Sequence, residues 1–182
     1  SGIMVADAAV LGNYSALEKN DFSTFISSGS VNLKNFYLQN STIPQGVTIE
    51  NAALVLQNQN IKVNGLNGKI GRSDFSVKGQ LNRVITYILS DEKLSGAFVL
   101  NSNLIDANEF LQKSPKSETD VYLEKDSTKV SSEPLTFPKN MELKFNANIA
   151  HLLFDKMDIS NFKGEIELEN QQLKLNGLSM NM

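Results

Sequence analysis

Two stretches of this chain repeat one pattern, and that pattern leaves few folds open. The first runs Val63-Asn64-Gly65-Leu66-Asn67-Gly68-Lys69-Ile70 and continues Phe75-Ser76-Val77-Lys78-Gly79-Gln80-Leu81. The second runs Ile159-Ser160-Asn161-Phe162-Lys163-Gly164-Glu165-Ile166 and continues Leu173-Lys174-Leu175-Asn176-Gly177-Leu178. Apolar and polar residues alternate with period two in both, and the breaks are Gly, Asn or Asp. A strand sends successive side chains to opposite faces, so the pattern describes half-buried antiparallel strands joined by tight turns. A duplicated meander describes an architecture that grows by adding strands. It offers a long surface rather than a single catalytic pocket.

The same reading extends along the chain. Strands are expected over 3–13, 30–39, 47–57, 60–70, 74–82, 94–103, 140–151, 156–168 and 171–181. Turns fall at Ser41 to Gly46, Asn58-Gln59, Gly71-Arg72-Ser73-Asp74, Phe154-Asp155 and Asn170-Gln171. Ser15-Ala16-Leu17-Glu18 matches a capping box and predicts a short helix continuing through Phe22, Phe25 and Ile26. Leu81, Val84, Ile85, Ile88 and Leu89 are spaced three and four apart, which predicts a helix near 83–89 packed over one end of the sheet. Asp106 is placed to cap a further helical turn through Asn108 and Glu109. From about 113 to 137, Lys, Ser, Glu, Thr and Pro dominate. That segment is expected to be a flexible insertion within one β-rich domain spanning 1–182.

Composition narrows the function classes. Both charge signs are interspersed, the net charge is −3, and no basic run stands out, which argues against nucleic acid as a partner. The absence of cysteine excludes thiolate metal sites, a cysteine nucleophile and disulfides. No stretch approaches the roughly 18 apolar residues of a membrane span. Strand-like sequence begins directly after Ser1-Gly2, and the chain is read as a piece of a longer protein. Its first and last strands would then lack neighbours, so edge-to-edge pairing, as in a dimer of the fragment, is expected.

Candidate chemistry is sparse. His151 is the single histidine, and it lies in strand-like Ala150-His151-Leu152-Leu153, which reads as a surface or structural position rather than part of a triad. Arg72-Ser73-Asp74 reads as turn residues. Gly65 and Gly68 are followed by no helix start, so no phosphate cradle forms there. Glu165, Glu167 and Glu169 alternate with Ile166 and Leu168, as on the solvated side of a half-buried strand. The chain is therefore read as non-enzymatic, with no catalytic residues, no metal and no cofactor. A hydrolase using the Glu face or Asp74 is the enzymatic alternative.

The apolar alternants are more informative. Val63, Phe75, Val77, Phe98, Leu100, Phe145, Ala147, Ile166 and Leu175 are expected to share one greasy face. In a closed sandwich this face is core; in an open curved sheet it is a groove within reach of lipid.

Gly71-Arg72-Ser73-Asp74-Phe75, followed by Val77-Lys78-Gly79, Leu94-Ser95-Gly96 and Leu100-Asn101-Ser102-Asn103-Leu104-Ile105-Asp106-Ala107-Asn108-Glu109, resembles the AsmA family. The closing strands from Ile159 are similar to that family's recurring C-terminal strands. The resemblance covers most of 30–182 apart from the insertion. It implies a curved, mainly β taco-shaped groove of two meander repeats with short capping helices. It also implies a periplasmic segment of a Gram-negative envelope protein anchored in the inner membrane. Such a segment would contact phospholipid acyl chains and serve inter-membrane lipid transport or outer-membrane biogenesis. The family supplies no catalytic residues. The alternative from the residues alone is a structural or adhesion module with a closed β-sandwich core.

Overall fold

The computed structural model of the protein describes residues 2–19, 25–40, 43–111 and 139–181. Nine strands form one open, curved sheet in sequence order. They are β1 (Ile3–Leu11), β2 (Ile26–Leu38), β3 (Val47–Gln57), β4 (Asn60–Ile70), β5 (Ser73–Asn82), β6 (Leu94–Asp106), β7 (Met141–Phe154), β8 (Met157–Glu169) and β9 (Gln172–Asn181). Among the described residues three short helices decorate the ends: α1 (Tyr14–Glu18), α2 (Val84–Ser90) and α3 (Asn108–Leu111). Two antiparallel three-strand meanders, β3–β5 and β7–β9, occupy the two stretches with the duplicated pattern.

The hairpin turns follow the expected chemistry. Asn58 and Asp155 adopt positive φ, as do both Asn170 and Gln171, at 51° and 63°. That last pair is the geometry whose twist matches two flanking strands. Two turns are shorter than expected or displaced by a residue. Ser73 and Asp74 belong to β5, leaving only Gly71-Arg72 as the turn, and β7 turns at Asp155-Lys156.

The sheet is not antiparallel throughout. β6 and β7 run parallel, from Leu94↔Met141 to Asp106↔Leu153. Alternation specifies faces but not direction, so the sequence did not carry this. A parallel neighbour requires the chain to return along the whole strand, which takes a dozen or more residues. The whole of the expected insertion at 113–137 lies outside the described residues, but it falls inside this obligatory return between Asp106 and Met141. A length limit follows. β6 spans about 40 Å at roughly 3.3 Å per residue, so 113–137 is expected to tolerate shortening to about 15 residues with little change in melting temperature. Cutting it below about ten should abolish folding, as circular dichroism of a deletion series would show.

Two helices differ from expectation. α1 is capped by Asn13, whose Oδ1 accepts the Ser15 N–H at 3.3 Å, so Ser15 lies inside the helix rather than capping it. Ile26, assigned to that helix from sequence, begins β2, and Phe22 lies outside the described residues. α2 packs only in part. Val84 and Thr86 are buried, whereas Ile88 is 68% exposed and Leu89 53% exposed. Its docking is local: the Val84 N–H donates to the Gln59 carbonyl at 2.7 Å, beside the β3–β4 turn.

Candidate functional site: an apolar face with no covering layer

Residues directly opposite in a ladder share a face, so the register traces rows across the sheet. One row runs Ala6, Val31, Leu54, Val63, Gly79, Phe98, Phe145, Ile166, Leu175, one residue from each strand. A parallel row runs Met4, Leu33, Ala52, Leu66, Val77, Leu100, Ala147, Gly164. A third runs Ala8, Gly29, Leu56, Ile61, Leu81, Gly96, Leu143, Leu168, Leu173. Phe75, opposite Gly68, starts the next row. All nine residues expected on the greasy face therefore lie on one face of one sheet.

The opposite face is mainly polar over the same span, with Ile3, Val5, Val55 and Val99 as apolar exceptions. One row reads Lys34, Asn51, Asn67, Ser76, Asn101, Asn148, Lys163, Ser179. Asn67 Nδ2 donates to Asn51 Oδ1 at 2.7 Å, and Asn148 Nδ2 to Asn101 Oδ1 at 3.4 Å. Glu167, two rows on, pairs with Lys144 at 2.7 Å, and Glu169 with Lys174 at 3.3 Å. The alternating glutamates thus sit among lysines on the polar side. Among the described residues, no group of three or more His, Asp or Glu could hold a metal ion.

Glycines on the apolar face make room for rings. A Cβ at Gly79 would meet the Phe98 ring at 2.5 Å, and one at Gly96 would meet it at 2.8 Å. Phe98 lies flat between them and stacks on Phe145, with centroids 5.1 Å apart and planes 21° apart. Offset stacking at that distance is a favoured aromatic arrangement.

Burial on this face falls from centre to edges. Val63, Phe98 and Ala147 are buried, Phe75, Val77, Leu100, Phe145 and Ile166 are half-buried, and Leu175 is 47% exposed. Ala147 and Ile149 with Ile159 and Phe162 form a buried cluster, against which Leu100, Ile105, Leu152 and Ile166 pack. Among the described residues no second layer lies over the face: the extensive packing is between neighbouring strands, and α2 packs chiefly on β4. The sheet stays open at both edges, so the closed-sandwich alternative does not describe it. β1 and β9 are exposed along their whole length, with Ile3, Met4, Val5, Val10 and Leu11 on one edge and Leu173, Leu175, Leu178 and Met180 on the other.

The alternation slips once, and coherently, near one end of β6–β8. On β7, Ile149 is buried, Ala150 and His151 are both exposed, and Leu152 rejoins the apolar cluster. On β8, Asn161 adopts φ 54° between buried Ile159 and buried Phe162. Strict alternation would turn His151 to the apolar side with Ile149. The slip turns it out, where Nδ1 lies 3.0 Å from Asp158 Oδ1 with both side chains exposed.

A polar lock closes that end, and it joins the two most distinctive motifs in the chain. The β5–β6 ladder stops at Ser76↔Asn101, although β6 continues to Asp106. The N–H groups beyond it are taken by side chains from the β5 start. The Asp74 carboxylate accepts the Asn103 N–H at 3.1 Å, the Leu104 N–H at 2.8 Å, Asn103 Nδ2 at 3.1 Å and Ser102 Oγ at 3.3 Å. Ser73 Oγ, fully buried, accepts the Asp106 N–H at 2.9 Å and donates to Glu109 Oε2 at 3.3 Å. Asp106 caps α3, its Oδ1 accepting the Asn108 N–H at 3.2 Å, and its Oδ2 pairs with Arg72 Nη1 at 2.9 Å. Glu109 accepts the Arg72 N–H at 2.9 Å. A Cβ at Gly71, where φ is +56°, would fall 2.6 Å from that carboxylate, so the turn needs both the left-handed backbone and the missing side chain. Partial burial pushes the Asp74 carboxyl up, but the Asn103 and Leu104 amides and the Asn103 and Ser102 side chains outweigh it and hold it below the ordinary carboxylate range. Read alone, Arg72-Ser73-Asp74 is a turn; the signal for the lock was the pairing of that motif with 102–109, which only the fold brings together.

Two open hollows, of about 340 and 440 Å³, lie along β5–β9. Both are lined by Asn148 and Lys163 and collect mostly polar-face side chains, so neither coincides with the apolar rows.

Comparison with protein-family models, with curated proteins and with solved structures returns no match. Among the described residues, no helix is long and apolar enough to cross a membrane.

Proposed function

We propose that the apolar face binds acyl chains. The observation that carries this is the set of apolar rows crossing β1–β9 on a face with no covering layer among the described residues. A solvated row of that length is costly unless something apolar occupies it. An extended hydrocarbon chain is the ligand whose shape matches a row, and each methylene removed from water contributes about 0.8 kcal/mol. In this reading the protein is non-enzymatic and needs neither metal nor cofactor. It is a β-groove segment of an AsmA-like, inner-membrane-anchored protein of the Gram-negative periplasm. It would support phospholipid transport between membranes or outer-membrane biogenesis. The resemblance of 71–109 and 159–178 to that family supports the assignment, and the open amphipathic sheet is the architecture that the family implies.

Titration with a fluorescent fatty acid tests it. Wild-type protein is expected to bind saturably, and Phe145→Asp, which places a charge against Phe98 in the central row, is expected to weaken binding at least tenfold. Circular dichroism of the variant separates loss of binding from loss of fold. Absence of saturable binding by folded wild-type protein would defeat the proposal.

A further inference from the structure

The two edges of the sheet match one another. β1 has nine residues and β9 has ten. Seven of the eight strand pairings are antiparallel and one, β6–β7, is parallel. That single parallel step leaves β1 and β9 pointing in opposite directions. A sheet placed beside its own copy in the same orientation therefore presents an antiparallel pair at the junction. Had every pairing been antiparallel, the junction would have been parallel, the slightly less stable kind.

One register satisfies both faces. Ala6 and Leu175 end the same apolar row, as Ala8 and Leu173 end the next. Setting Ala6 opposite Leu175 joins both rows across the junction and sets Asp7 opposite Lys174. Those two end a single polar row, which runs Lys144, Glu167, Lys174 at its β9 side. The alternation of charge would continue from one copy into the next. Edges of natural sheets are usually blunted by lysines, prolines or covering elements. β1 carries one charged residue and no proline, and its side chains are exposed throughout.

We propose that β9 of one molecule pairs antiparallel with β1 of a second copy, with Asp7 opposite Lys174, so that the apolar face runs on across the junction. The contact is heterologous, so it leaves one free edge of each kind and propagates into a ring or filament rather than stopping at a symmetric dimer. This concerns the edges of the sheet that the described residues form, and it stands independently of what the apolar face binds.

The test uses the lack of native cysteine. Ala9→Cys and Gln172→Cys fall opposite each other in this register. A short bis-maleimide is expected to convert the double variant into a ladder of covalent oligomers, while either single variant stays monomeric. Sedimentation velocity over a concentration series gives the second reading. Lys174→Asp is expected to weaken association up to about tenfold by setting like charges opposite, and Asp7→Lys combined with Lys174→Asp is expected to restore it. Circular dichroism confirms the fold of each variant. Folded wild-type protein that stays monomeric with no ladder from the double variant would overturn the proposal. So would cross-linked dimers from Ala9→Cys alone, which would mean that β1 pairs with itself, or a charge swap that fails to restore association.

Discussion

Phe98→Ala is expected to lower the unfolding free energy by about 3–5 kcal/mol, the usual cost of emptying a large buried aromatic site. The ring has no substitute nearby. It fills the space above Gly79 and Gly96, and its stacking partner Phe145 would lose that contact. The backbone at both glycines would then be open to water, and neither residue has a side chain to close the gap. Val99, the next residue along β6, faces the polar side and is 42% exposed. Val99→Ala is expected to change stability by less than about 0.5 kcal/mol. Urea midpoints of the two variants give the comparison. Equal, small losses would show that the apolar rows do not pack. For a protein of ordinary stability, roughly 5–15 kcal/mol, the Phe98 effect alone is a large fraction of the total.

Asp74→Ala is the second large effect, expected at about 2 kcal/mol. Hydrogen bonds to a charged acceptor are worth about 1.5–3 kcal/mol net. Several donors lose theirs here, although water reaches the half-buried site and recovers part of the loss. The β6 extension and α3 should loosen together, because the α3 backbone and side chains hold Gln45, Arg72 and Asp155 through Glu109 and Asn108. The Asp74 carboxyl is held below its ordinary range in the fold. Its contribution is therefore complete above the unfolded value, about 3.9, and is lost as pH falls through the lower folded value. The stability gap between wild type and Asp74→Asn is expected to be largest at neutral pH and to narrow toward pH 3. Other carboxylates titrate in both proteins and cancel in the difference. A gap that stays constant from pH 7 to pH 3 would show that Asp74 is not bound as an anion.

Sequence periodicity carried the local half of this fold well. Val47–Gln57 and Asn60–Ile70 are strands with the expected bounds, and the faces of Phe98, Phe145 and Ile166 follow from their parity. Parity failed where a strand takes an extra step. Val63 and Leu66 share a face because β4 is bulged between them, and His151 leaves the face of Ile149 at the slip. Such steps cost no apolar residue, so they leave the composition of the window unchanged. Strand direction was not legible at β6–β7, since alternation is the same for parallel and antiparallel neighbours. The lock was half legible. Both motifs were distinctive, but Ser73 and Asp74 serve N–H groups some 30 residues away, at Leu104 and Asp106. Only the early end of the β5–β6 ladder creates the need for them.

The apolar face is proposed to be open to hydrocarbon. Photo-cross-linking with a diazirine-bearing fatty acid, followed by peptide mapping of the labelled protein, tests it most directly. The expected result is label concentrated on the rows through Phe98, Phe145, Ile166 and Leu175, competed away by unlabelled fatty acid. Label scattered over the polar row through Asn101, Asn148 and Lys163, or no competable label on folded protein, would contradict it.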